Sequence, residues 1–330
     1  MDRRAFLGGV SGTLAGAALA GCTGILGQGT DASDGTRWLP SPGAISSNEI
    51  TPEGRYSAVL TSPTSVSTHR EVLGTDWESY RSRWLDTEYA FPTASELDVV
   101  VEATSEAGGL FRVESGSFNS TRIIERLSDD NFEVASGDSA QYSYYLRDDE
   151  QVGYAITDST LVRAQIPSSL RGTGAATLAE FSLVGLLDTI IESKRGAVER
   201  YGDDSSDLIP LADQGLSGGS LLYNYHGDRF TDRSFGNLDS MAGEFPDHVV
   251  TGQGQKLSGE TTDVTLVLVF ENKETFIQNP LESSIDTYVM ESQQFRDWRE
   301  VSWSREERTV IIEGTVRSAE AWPLQQVTVG

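Results

Sequence analysis

Lysine is nearly missing from this chain. Of 25 basic residues in 330, only three are Lys (Lys194, Lys256 and Lys273), which leaves 22 Arg. Asp and Glu number 50, so the formal charge is −25. That field repels a phosphate backbone, so no nucleic-acid partner is expected. It equally opposes electrostatic docking on anionic lipid. Cysteine occurs once, at Cys22. A single Cys excludes a disulfide framework and a Cys-based zinc site. Three histidines, His69, His226 and His248, are too few and too far apart for a His-rich centre. No metal and no cofactor is expected. Apolar runs of bilayer length, about 20 residues, are also lacking. The longest run after the N-terminus, Val264 to Phe270, is strand-sized. What is present suffices for a packed core: 38% hydrophobic and 9% aromatic residues. The length suits two domains or two similar halves.

The N-terminus reads as an address. Arg3-Arg4-Ala5-Phe6-Leu7 precedes a weakly apolar run of Gly, Val, Ala and Leu, which ends in Leu19-Ala20-Gly21-Cys22. Residues 1–21 therefore resemble a twin-arginine signal peptide with a lipobox. The export signal rests on Arg3, Arg4, Phe6 and Leu7. The resemblance implies cleavage before Cys22 and a lipid on its thiol. The expected partner is the membrane, through that anchor, with the protein on the extracytoplasmic face. Residues 22–36 follow as a Gly/Ser/Thr/Asp-rich tether.

Such a signal, joined to an acidic, Lys-poor composition, is similar to haloarchaeal twin-arginine-exported lipoproteins of unknown function. Carboxylates keep their hydration at high salt, where the Debye length is about 3 Å at 1 M and self-repulsion is screened. Lysine stems add apolar surface that salt drives together.

Beyond the tether, strands are expected at Tyr56–Leu60, Leu97–Thr104, Leu110–Glu114, Ser139–Leu146, Gln151–Thr157 and Leu161–Ile166. Helices are expected at Asp76–Leu85, from an Asn119 or Ser120 cap through Leu127, and at Leu183–Arg195. Gly108-Gly109 reads as a hairpin turn. A similar texture returns in Ser220–Tyr225, His248–Leu257 and Asp263–Glu271, a helix over Leu281–Arg296, and a hairpin across Ser304–Glu307. Hairpin-length links favour an α+β fold, with antiparallel sheets and helices packed on one face. Two ferredoxin-like halves fit, residues 37–200 and 201–330.

Catalytic patterns are thin. Gly215-Leu216-Ser217-Gly218-Gly219 is a G-x-S-x-G, with His226 and His248 downstream. The nucleophile elbow of α/β-hydrolases needs a helix after the Ser, whereas Leu221–Tyr225 alternates like a strand. Asp203-Asp204-Ser205-Ser206-Asp207 begins like a calcium loop, but Leu208 and Gln214 stand where Gly and Glu are required. Asn119-Ser120-Thr121 is a glycosylation sequon placed on a helix cap. Trp298 and Trp303, beside Arg296, Arg299 and Arg305, suit an interface or an ordinary core. The expectation is a lipid-anchored, non-enzymatic surface protein that binds or scaffolds. The alternative is a surface serine hydrolase using Ser217 with His248 or His226.

Overall fold

A computed structural model of the chain describes residues 32–41, 43–45, 56–74, 77–78, 92–105, 108–147, 151–166, 182–201, 221–226, 248–270, 285–287, 289 and 295–321. Its strands are β1 (Ser57–Thr61), β2 (Leu97–Ser105), β3 (Gly108–Gly116), β4 (Glu133–Ala135), β5 (Ser143–Arg147), β6 (Val152–Ile156) and β7 (Thr160–Gln165). They continue with β8 (Leu221–His226), β9 (His248–Ser258), β10 (Thr261–Phe270), β11 (Arg299–Glu306) and β12 (Thr309–Arg317). Helices α1 (Pro63–Thr68), α2 (Arg70–Leu73), α3 (Ser120–Asp129) and α4 (Leu183–Arg195) accompany them.

The expected class holds: the fold is α+β, and every strand pairing is antiparallel. The twelve strands among the described residues join one hydrogen-bonded sheet, in the order β11-β12-β10-β9-β8-β1-β2-β3-β7-β6-β5-β4. The two halves meet where β1 pairs with β8. Each half leads in with three meandering strands and crosses over through helical residues. It then returns its last strand beside the strand that preceded the crossover. In the first half β7 returns beside β3, and in the second β12 returns beside β10. Among the described residues each such unit is thus a split β-α-β extended by a meander.

Helices lie on both faces of the sheet rather than on one. The reason is visible in β1 and β6, whose five residues each are all buried. A strand buried on both sides needs cover on both sides. On one face α4 sets Leu183, Leu186, Leu187, Ile190 and Ile191 against Val113, Ala155, Val162 and Ala164. Each such buried aliphatic side chain contributes at most about 1.5–3 kcal/mol. On the other face Ile123 and Leu127 of α3 cover Tyr154, Ile156 and Leu161. Val66 of α1 and Leu73 of α2 cover Val59 and Val100. In the second half, Ile285, Phe295 and Trp298 cover Val264, Leu266, Leu268 and Phe270.

Helix α4 spans the expected Leu183–Arg195, because its ends are written locally. Ser182 Oγ accepts from Gly185 N at 2.8 Å, and Gly196 closes the helix at φ 76°. Other boundaries move. Gly108 and Gly109 open β3, paired with Ser105 and Thr104 of β2, instead of forming the turn. The last hairpin turns at Glu307-Arg308, with Glu307 at φ 50°. Regular structure also begins inside the stretch read as tether, residues 22–36: Ala32–Trp38 is a 3-10 helix. Of the helix expected at Asp76–Leu85, Trp77 and Glu78 are helical and the rest lies outside the described residues.

Candidate functional site

The N-terminal strap, Ala32–Ser41, is fastened over Arg37–Ser41 to α4 and to the residues that follow it. Ser193 Oγ of α4 donates to Arg37 O at 3.2 Å, and Lys194 Nζ sits 5.3 Å from the ring centre of Trp38, itself buried. Ser41 N donates to Glu199 O at 2.7 Å, and Tyr201 N donates to Leu39 O at 2.9 Å. The Tyr56 hydroxyl donates to Pro40 O at 2.5 Å, while its ring stacks on Tyr201 at 4.5 Å. Burial pushes the Tyr56 phenol well above its ordinary value. Gly35 lies directly on the sheet: a Cβ there would stand 2.7 Å from Leu60 Cδ2 and 2.8 Å from Val101 Cγ2. Arg3, Arg4, Phe6, Leu7 and Cys22 lie outside the described residues.

Ser217 also lies outside them. The strand expected after it is present as β8, and an elbow would require a helix there. His226 ends β8 opposite Val250, and His248 opens β9 two residues before. Both histidines therefore sit at the same end of neighbouring strands. Leu221, at the opposite end of β8, is about 17 Å away at 3.3 Å per residue. Among the described residues, no group of three or more His, Cys, Asp or Glu gathers to hold a metal. Asn119 is exposed and caps α3, its Oδ1 accepting from Arg122 N at 3.3 Å. Trp298 is 6% exposed and packs edge-on to Phe295 at 4.8 Å, so it belongs to the core and not to an interface.

Sequence reading missed a charged row inside the sheet. One register row runs unbroken through all twelve strands, from Trp303 through Leu266, Val59, Arg112 and Arg163 to Val134. In the first half this row turns ionic. Glu102 of β2 stands opposite Arg112 of β3, which stands opposite Arg163 of β7. Arg112 Nη1 donates to Glu102 Oε2 at 3.0 Å, and its Nε donates to Glu114 Oε1 at 2.7 Å. The Arg112 and Glu114 side chains are 7% and 5% exposed, against 36% for Glu102. Burial pulls the Arg112 guanidinium down, but the neighbouring Glu114 and Glu102 carboxylates outweigh it and the net shift is upward.

Two atoms of this cluster have no hydrogen-bond partner among the described residues. They are Glu114 Oε2 and Arg163 Nε, both buried at the atom level. Arg163 Nη2 donates to Gln165 Oε1 at 2.9 Å. Two positive and two negative side chains face one another with no net charge. The arrangement can receive hydrogen bonds at one carboxylate oxygen and donate them from one guanidinium edge.

No family model and no curated protein matches the sequence. Among solved structures, crystal form III of TP0453 is similar with a TM-score of 0.47 at 10% identity, covering 88% of this chain and 99% of that one. Crystal form I of TP0453 gives 0.46 at 10% identity, covering 82% of this chain and 92% of that one.

Proposed function

We propose that the chain is a lipid-anchored extracytoplasmic protein of a halophilic organism that binds or scaffolds at the membrane surface. Export follows Arg3-Arg4, residues 1–21 are removed, and Cys22 carries the lipid. The observation that carries this reading is the place of the only cysteine, at the end of Leu-Ala-Gly-Cys. The distance to the fold supports it. Nine residues lie between Cys22 and Ala32, where the 3-10 helix begins, so ten residue-to-residue steps join them. Fully extended they span about 35 Å; as a coil, about 16–19 Å. The anchor thus holds the strap beside α4 close to the bilayer. Asn119 keeps Oδ1 in the α3 cap and offers its exposed amide nitrogen to glycosylation.

Membrane fractionation tests the anchor. The wild-type chain should partition with membranes and into the detergent phase, and Cys22→Ser should move it to the soluble fraction. Retention of Cys22→Ser in the membrane at wild-type level would overturn the reading.

A further inference from the structure

We propose that Glu114 and Arg163 form a binding site for a small zwitterion of the α-amino-acid type. The ligand's ammonium group meets Glu114 Oε2, and its carboxylate meets the Nε edge of Arg163. The inference names a ligand class for the binding reading above and does not depend on the lipid at Cys22.

Placement comes first. Glu114 pairs with Leu161, and Arg163 pairs with Arg112, two residues along the same strands. The two charges are therefore diagonal neighbours on one face. The Cα atoms of such positions lie about 7–8 Å apart, within reach of long side chains. Both unpartnered atoms are buried, and an unmet hydrogen bond at a buried charge is costly unless something satisfies it.

Arg112 does not compete for the ligand. Two carboxylates engage its guanidinium, so it acts as a positioning residue that fixes the other oxygen of Glu114. The four charges cancel, so a ligand bearing both signs leaves the site balanced. A simple anion or a simple cation leaves one charge unmatched.

The second half supplies an internal control. Outward from the β1–β8 junction, Arg112 and Arg163 occupy the places of Leu266 and Ile312, and Glu114 that of Leu268. Those three residues are completely buried. The topology therefore packs this face with aliphatic side chains, and charge here is not a requirement of the fold.

The test uses the full chain in detergent at molar salt. L-alanine, L-aspartate, L-lysine and L-leucine are titrated singly by calorimetry, with the melting transition followed in parallel. The N-acetyl and amide derivatives of the tightest binder follow. At least one free amino acid should bind saturably, and both blocked derivatives should bind at least tenfold more weakly. Glu114→Gln and Arg163→Lys should each weaken binding tenfold or more while melting stays cooperative. Should Glu114→Gln fail to fold, Arg163→Lys, at a half-buried position, carries the test. Cys22→Ser should bind as the wild type does, so loss of the anchor and loss of the site are read separately. The proposal is overturned if none of the four binds, if the N-acetyl form binds as tightly as its parent, or if Arg163→Lys leaves affinity unchanged.

Discussion

Replacing Arg112 by leucine takes the partner from a carboxylate that stays buried. Glu114 is 5% exposed, and its Oε1 accepts from Arg112 at 2.7 Å. Removing one member of a buried pair costs about 3–5 kcal/mol, because the remaining charge has lost both water and partner. Glu102 adds little to that loss: its side chain is 36% exposed, so solvent replaces the guanidinium. Removing both buried charges, Arg112→Leu with Glu114→Leu, is a different perturbation. It reproduces on β3 what Leu266 and Leu268 already do on β10. Exchanging a buried pair for apolar residues is often neutral, or stabilising by about 1–4 kcal/mol. The double variant should therefore recover most of what the single variant loses. Urea unfolding of the full chain at fixed molar salt measures both. A double variant as unstable as Arg112→Leu would refute the view that the fold does not need the charges. A single variant as stable as wild type would refute the view that Glu114 depends on Arg112.

Three further expectations concern other parts of the molecule. Gly35→Ala puts a methyl 2.7–2.8 Å from Leu60 and Val101, so it should destabilise by about 1–3 kcal/mol in the same urea assay; a neutral result would mean that the strap lifts freely from the sheet. The Tyr144 phenol is pushed upward by burial, then by its hydrogen bond to Asp188 and by that carboxylate's charge. Its stabilisation is complete below the unfolded value near pH 10 and is lost as pH rises beyond it towards the folded pKa. Tyr144→Phe should flatten the loss of stability between pH 9 and pH 11, to an extent of about one tyrosine proton, and parallel curves would exclude this source. Diluting salt from molar to about 0.01 M lengthens the Debye length from about 3 Å to about 30 Å. With a charge of −25, the melting temperature should fall on dilution, and a rise would contradict the halophilic reading.

Local signals made much of the fold legible. Helix α4 carries its own cap, cationic last turn and closing glycine, so its limits needed no tertiary information. Strand β10 announces itself by alternation and ends within two residues of expectation. Pairings remote in sequence left no such trace. β1 joins β8 across more than 150 residues, so the single continuous sheet was hidden. Strand β4 has three residues and an exposed Val134, too short for any periodicity. The ionic row was hidden for a subtler reason. Arg112 and Glu114 alternate with Phe111 and Val113, which in sequence describes a strand with one wet face. Cover on that second face comes from elements elsewhere in the chain, and burial turned an apparent solvent face into a charged interior.

The anchored account stands or falls on the chemistry at Cys22, and the intact mass of the mature N-terminal peptide, taken from membranes, tests it most directly. The account predicts a chain that begins at Cys22 and carries added mass of lipid size. A mature chain that begins elsewhere, or an unmodified Cys22, would contradict it.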